Sequence, residues 1–270
     1  MTKIPKKIHW CWLSGDPLPP LVQDCIKSWK RVMPDYEIIL WDMNRFDIYS
    51  IPFVEQACAA RKWAFASDYI RWYALYTEGG IYLDSDVKVY RRLDKFLQHS
   101  AFSGSLYYYG QDQNGKIPPR YWIEAECLGA EKGHPWMKSC LDAYQDKEFQ
   151  PVKGVPSMGI ASDVLTYTCI PFGWKPIPVS KPWHLDEGIV IYPETYFAYP
   201  LRPLSIFRTH AVHIGTGAWK DNNNSFVPKN DFLSVFRKWH SNMTNEYWWF
   251  RRYHLKRKEL QKRIIELLKI

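Results

Sequence analysis

The chain has 270 residues and a mass of 32.1 kDa, with 46% hydrophobic and 24% charged residues, which fits one large domain or a domain with an appendage and excludes wholesale disorder. Its net charge of +8 is concentrated: residues 232–270 carry ten Lys/Arg against three acidic residues, so the nearly neutral body excludes a nucleic-acid-binding face. No run reaches the ~18 apolar residues of a membrane span, and the opening MTKIPKKIHWCWLSG lacks the apolar stretch of a signal peptide.

In chain order, Lys6–Leu13 reads as a first strand closed by Ser-Gly-Asp-Pro. Leu21, Val22, Cys25, Ile26 and Trp29 recur at helical spacing, which predicts a helix over 18–33 that Pro34 stops. Tyr36–Trp41 reads as a second strand and 53–78 as two helices ending at Gly79-Gly80. Ile81-Tyr82-Leu83 then forms a short buried strand that runs into Asp84-Ser85-Asp86. This alternation predicts an α/β fold with a mainly parallel central sheet. Further on, 101–109 and 122–129 read as strands, 134–144 and 159–168 as helices, and 189–192 and 205–214 as late strands. The basic residues 232–270 read as a helical tail, with Trp248, Trp249 and Phe250 ahead of a Leu/Ile stripe. That division gives a catalytic body over 1–231 and a tail over 232–270, expected to contact either a membrane surface or another copy of the chain.

Six well-separated cysteines show neither CxxC pairs nor clustered Cys/His spacing, so they read as reduced, buried thiols rather than a zinc site. The aromatic load of 14 Trp, 18 Tyr and 13 Phe leans towards a ligand with flat faces.

Two constellations carry chemistry. Asp84 and Asp86 follow a buried strand at the carboxyl end of an open sheet, where such folds bind ligands. On extended chain, residues i and i+2 point the same way, and paired carboxylates suit Mg²⁺ or Mn²⁺, which in turn binds phosphate. Asp68 and Arg71 share one face of a helix that is apolar nearly all round, and a buried ion pair is costly unless it has a use.

Together Ala66-Ser67-Asp68-x-x-Arg71 and Glu78-Gly79-Gly80-Ile81-Tyr82-Leu83-Asp84-x-Asp86 resemble the signature of glycosyltransferase family 32, the DXD-containing sugar-binding glycosyltransferases. The opening Ile4–Gly15, the segment Ser28–Asp42, Gly129–Pro135 and the region from His213 to Trp219 extend the likeness over about residues 4–220. At 159–163 the sequence Gly-Ile-Ala-Ser-Asp departs from the family's Gly-Pro turn. The resemblance implies a GT-A-type fold and a nucleotide-sugar donor. It implies that Trp12 stacks on the base, Asp68 and Arg71 hold ribose and sugar hydroxyls, and Tyr82 lines the sugar. It further implies that Asp84 faces the sugar and ribose, that Asp86 ligates the metal, and that His213 and Trp219 close over the diphosphate, His213 as a further ligand. Asp84, Asp86 and Arg71 are thus the catalytic candidates.

The resemblance also implies net retention at the anomeric carbon. Front-face substitution is the favoured route, with a covalent intermediate on Glu124, Glu126 or Asp163 as its rival. The expected enzyme uses Mn²⁺ or Mg²⁺ and moves a sugar from a UDP-sugar, or secondly GDP-mannose, to a glycan or lipid-linked acceptor. Capsule or lipopolysaccharide synthesis on the cytoplasmic face of a membrane is the expected setting, with the tail on anionic lipid. Two alternatives stay open: a carbohydrate-binding protein without transfer activity, and a haloacid-dehalogenase-type phosphatase, although the latter's paired Asp-Asp is missing from the sequence.

Overall fold

A computed structural model describes residues 2–108, 120–145, 147–149, 160–197 and 208–215. Strand β1 (Lys7–Cys11) leads through helix α1 (Pro20–Val32) to β2 (Glu37–Trp41). Helices α2 (Pro52–Ala59) and α3 (Trp63–Glu78) follow, then β3 (Gly80–Leu83) and the short β4 (Val87–Val89). The second half contains β5 (Ala101–Tyr108), β6 (Arg120–Ile123), β7 (Cys127–Ala130), α4 (Pro135–Asp142) and α5 (Ala161–Cys169). It closes with β8 (Trp183–His184), β9 (Ile189–Tyr192) and β10 (Ala211–His213).

The main sheet runs β2-β1-β3-β7-β5-β9-β8, with β6 paired to β5. β1 pairs in parallel with β2 and β3, a geometry that needs the crossovers through α1 and through α2–α3, and β9 is parallel to β5. β7 is antiparallel to both β3 and β5, so β2, β1, β3, β5 and β9 all point one way. The expected α/β fold with a mainly parallel sheet is what the chain forms.

Side-chain alternation sorts the sheet into two cores. Ile8 and Trp10 of β1 and Ile81 and Leu83 of β3 face the α1 side, where Cys25 and Trp29 are fully buried. Cys11 and Tyr82 face α2–α5 instead, packing with Ile70, Trp72, Leu75 and Trp136. Each large apolar side chain buried this way contributes about 1.5–3 kcal/mol. All six cysteines are free and buried, as expected.

The Gly79-Gly80 stop works through backbone conformation. Gly79 has φ +68° and Gly80 φ +125°, and a Cβ on Gly79 would stand 2.7 Å from the Lys132 backbone nitrogen. That sharp turn ends α3 and starts β3 directly beside β1.

Three local expectations are corrected. The stretch 122–129 is not one strand: β6 and β7 are separated by Glu124-Ala125-Glu126, whose carbonyls are taken by groups from elsewhere in the fold. Asp84–Asp86 is a turn, closed by Val87 N–H donating to Asp84 O at 2.9 Å, rather than extended chain. The last strand is only Ala211–His213 within the stretch 205–214, of which 205–207 lie outside the described residues, as does the tail 232–270.

Candidate active site

A cleft of about 710 Å³ opens at the carboxyl ends of β1 and β3, bounded by the first half of α3, the start of α5, Ala125-Glu126 and His213. Its position is the one that open α/β sheets reserve for ligands. Trp12, Asp68, Arg71, Tyr82, Asp84, Asp86 and His213 all line it, so seven of the eight candidates converge. Trp219 lies outside the described residues.

Arg71 is the hub. Its side chain is 5% exposed and donates to the Ala125 carbonyl at 2.6 Å and to Asp68 Oδ1 at 2.8 Å, with Asp84 Oδ1 at 3.3 Å. The guanidinium lies over the Tyr82 ring, 4.7 Å from its centroid, which gives this tyrosine a cation–π role from beneath. Burial pushes Asp68 up to about 7, against the pull of Arg71 and of the Ala161 N–H at the start of α5. Burial likewise raises Asp84 to about 6, with Arg71 opposing and Asp86 adding to the rise. One guanidinium thus serves two carboxyl groups, with the His213 ring adding a second opposing charge at Asp84.

His213 arrives from late in the chain because β10 pairs antiparallel with β4, setting His213 opposite Val87. The β4 strand is itself clamped by α1: Trp29 Nε1 donates to Val87 O at 2.8 Å and Val89 N–H donates to Ser28 Oγ at 3.0 Å. His213 Nε2 lies 3.2 Å from Asp86 Oδ1 and its Nδ1 lies 3.3 Å from Glu126 Oε1. Burial works against a charged ring, but the Asp86 and Glu126 carboxylates outweigh it and hold the imidazolium well above the usual histidine range.

Asp84, Asp86 and His213 each offer a ligand atom, all within 4.8 Å of one another. Two carboxylates and an imidazole fit a divalent ion of the Mn²⁺ type. The grouping of Asp84 with Asp86 and His213 in one candidate ligand set goes beyond the expectation, which gave ligation to Asp86 and His213 alone.

Trp12 is half-buried at the rim and its Nε1 donates to Asp16 O at 2.8 Å, which fixes the indole while leaving part of it on the cleft. Of the three carboxylates considered as nucleophiles, Asp163 is engaged in capping α5 through Ile160 N–H at 2.9 Å. Glu124 is buried behind the cleft against Gly104, and burial, then Glu126, drive its carboxyl well above the usual range. Only Glu126 lines the cleft. Sequence reasoning missed its contact with His213, and also the Arg61-Lys62-Trp63 corner at the cleft mouth. The basic-aromatic tripeptide that leads into the first residue of α3 was the available signal for that corner.

Residues 19–103 match the family model described as "Glycosyltransferase sugar-binding region containing DXD motif". The chain is 28% identical over 197 residues to inositol phosphoceramide mannosyltransferase 3 of Schizosaccharomyces pombe, covering 72% of this chain and 51% of that one. It therefore spans about half the length of this curated relative. Among solved structures it is similar to the PaToxG glycosyltransferase, at 20% identity and TM-score 0.44, covering 62% of this chain and 69% of the other. It is also similar to the galactosyltransferase LgtC in complex with donor and acceptor sugar analogues, at 13% identity and TM-score 0.42, covering 91% and 99%.

Proposed function

We propose that this chain is a metal-dependent retaining glycosyltransferase that moves a hexosyl group from a nucleotide-sugar to a hydroxyl of a glycan or lipid-linked saccharide. The observation that carries the reading is the cleft in which a buried Asp68–Arg71–Asp84 network abuts the Asp84/Asp86/His213 ligand set. Arg71 Nε and Glu126 Oε2 support it: both are buried with no hydrogen-bond partner among the described residues, the pattern of a site completed by its ligand.

Asp84, Asp86 and His213 would hold the ion, which when bound stabilises negative charge on a departing diphosphate. The chain's own residues do the rest. Arg71, locked by Asp68 and Ala125, presents a fixed positive charge at the floor, where it orients donor hydroxyls without reorganising. Asp84, held by Arg71, has one edge for the ligand side. Trp12 offers its indole to the base, and the packing of Tyr82 beneath Arg71 keeps water from the floor. With Asp163 capping α5, Glu124 outside the cleft lining and Glu126 turned to His213, front-face substitution with retention is the favoured route.

The name of the curated relative adds weight to a mannosyl donor and a lipid-borne acceptor, alongside the UDP-sugar reading from sequence. Surface-polysaccharide synthesis at the cytoplasmic face of a membrane, with residues 232–270 on anionic lipid, completes the proposal. A thermal-shift screen of UDP, GDP and their sugars, with and without Mn²⁺, tests it. Stabilisation by one nucleotide family that requires Mn²⁺ is expected, and no shift with any of them refutes it.

A further inference from the structure

The cleft contains one carboxylate that the proposed reaction does not use. Glu126 sits in the turn between β6 and β7, and three of its groups are engaged differently. Its backbone carbonyl accepts the Asp84 N–H at 2.9 Å, which pins the start of the turn bearing both aspartates. Its Oε1 lies 3.3 Å from His213 Nδ1, and its Oε2 is buried without a partner among the described residues. The other ring nitrogen, Nε2, faces Asp86 at 3.2 Å, and His213 stands with Asp84 and Asp86 in the candidate ligand set.

A histidine that ligates through one nitrogen presents the other as an N–H donor, and a carboxylate on that N–H fixes the tautomer and the ring's orientation. His213 needs such an anchor more than most ligands do. It sits at the end of a three-residue strand whose partner β4 is equally short, so backbone pairing alone leaves the ring's rotation about its side-chain bonds unset. Asp86 cannot supply the anchor, since it faces Nε2.

We infer that Glu126 is a positioning residue for the cation centre: its carboxylate holds His213 by Nδ1 so that Nε2 faces the ion, while its carbonyl sets the Asp84 turn. This rests on the metal reading given above. It also assigns the role in which one residue couples the two chain segments that supply the ligands.

The test is Mn²⁺ binding to the purified full chain, followed by the free-ion signal in electron paramagnetic resonance, with melting temperature recorded on each variant. Glu126→Ala should weaken Mn²⁺ binding about 10–100-fold. Glu126→Gln, which retains an oxygen acceptor for Nδ1–H, should recover at least half of that loss on a logarithmic scale. In a His213→Ala background, Glu126→Ala should have no further effect on affinity, which a merely structural role or a general charge effect would not reproduce. Equal Mn²⁺ affinity in wild type and Glu126→Ala overturns the positioning role alone. So does an undiminished effect of Glu126→Ala in the His213→Ala background. A wild type that does not bind Mn²⁺ overturns the cation centre itself, and a separate nucleotide titration without metal then shows whether the donor cleft survives.

Discussion

Removing the Arg71 side chain is the most searching perturbation, because its contacts join the floor of the cleft to the core. Arg71→Ala strands the Asp68 carboxylate, whose side chain is 10% exposed, and frees the buried Ala125 carbonyl that received a 2.6 Å bond. Breaking a buried ion pair from one side costs about 3–5 kcal/mol. At roughly 2–4 °C per kcal/mol for a domain of this size, the melting temperature should fall by about 10 °C. Arg71→Lys keeps the charge and can satisfy one partner, not three, so its melting temperature should fall by only about 3–6 °C, on a loss of about 1.5 kcal/mol. Its transfer activity per folded molecule should nevertheless be mostly lost, since a flexible ammonium cannot reproduce the planar fork. The assay pairs calorimetry with donor turnover on the same preparations, adding Asp68→Ala and the double variant. A coupling of about 2 kcal/mol between positions 68 and 71 is expected. Strict additivity would show that the pair is not a unit, and an Arg71→Lys enzyme with more than half of wild-type turnover would refute its role at the floor.

Asp86→Ala should abolish Mn²⁺-dependent nucleotide binding while circular dichroism stays native, and turnover that persists in EDTA would refute metal dependence. His210 gives a pH prediction: its Nδ1–H donates to Arg92 O at 2.7 Å, and burial, then Lys95, hold its ring down to about 4. Because the unfolded ring binds a proton near 6.5 and the folded one does not, this contribution is present above pH 6.5. It is lost as pH falls towards 4, by up to about 3 kcal/mol. Urea titrations should show the stability gap between wild type and His210→Asn narrowing from pH 7 to pH 5; a constant gap would contradict the sign. The full chain should sediment with anionic vesicles at low salt and be released at high salt, while a chain ending near Asp231 stays in the supernatant. Equal recovery of both with neutral and anionic vesicles would remove the tail from the membrane.

The legible parts of the fold were those governed by local pattern. The α1 stripe of Leu21, Val22, Cys25 and Trp29, and the Gly79-Gly80 stop, each express a periodicity or a backbone need that one segment contains in full. The break between β6 and β7 was not legible, because Trp122-Ile123 and Cys127-Leu128 flank Glu124-Ala125-Glu126 as one continuing run. What bends it is Arg71 drawing on the Ala125 carbonyl and the Asp84 N–H drawing on that of Glu126, both from distant segments. The convergence of Asp84 and Asp86 was expected for a reason that does not hold: a turn, not a pleat, brings them together. Asp86 and His213 were assigned by resemblance, whereas the contact of Glu126 with His213 depends on the β10–β4 register, which no local pattern encodes.

That register has a consequence for how the protein is made. The two aspartates leave the ribosome early with β3 and α3, but the imidazole follows only after β5, β7 and β9 have emerged and the chain has returned to lay β10 on β4. Closing such a sequence-distant contact is slow compared with forming the helices. A nascent or truncated chain lacking residues 211–213 would carry the acidic turn without its third ligand. Under the proposed metal dependence, cation capture would act as a checkpoint on maturation: an ion held at full affinity would report that translation has passed β10 and that β10 has paired with β4.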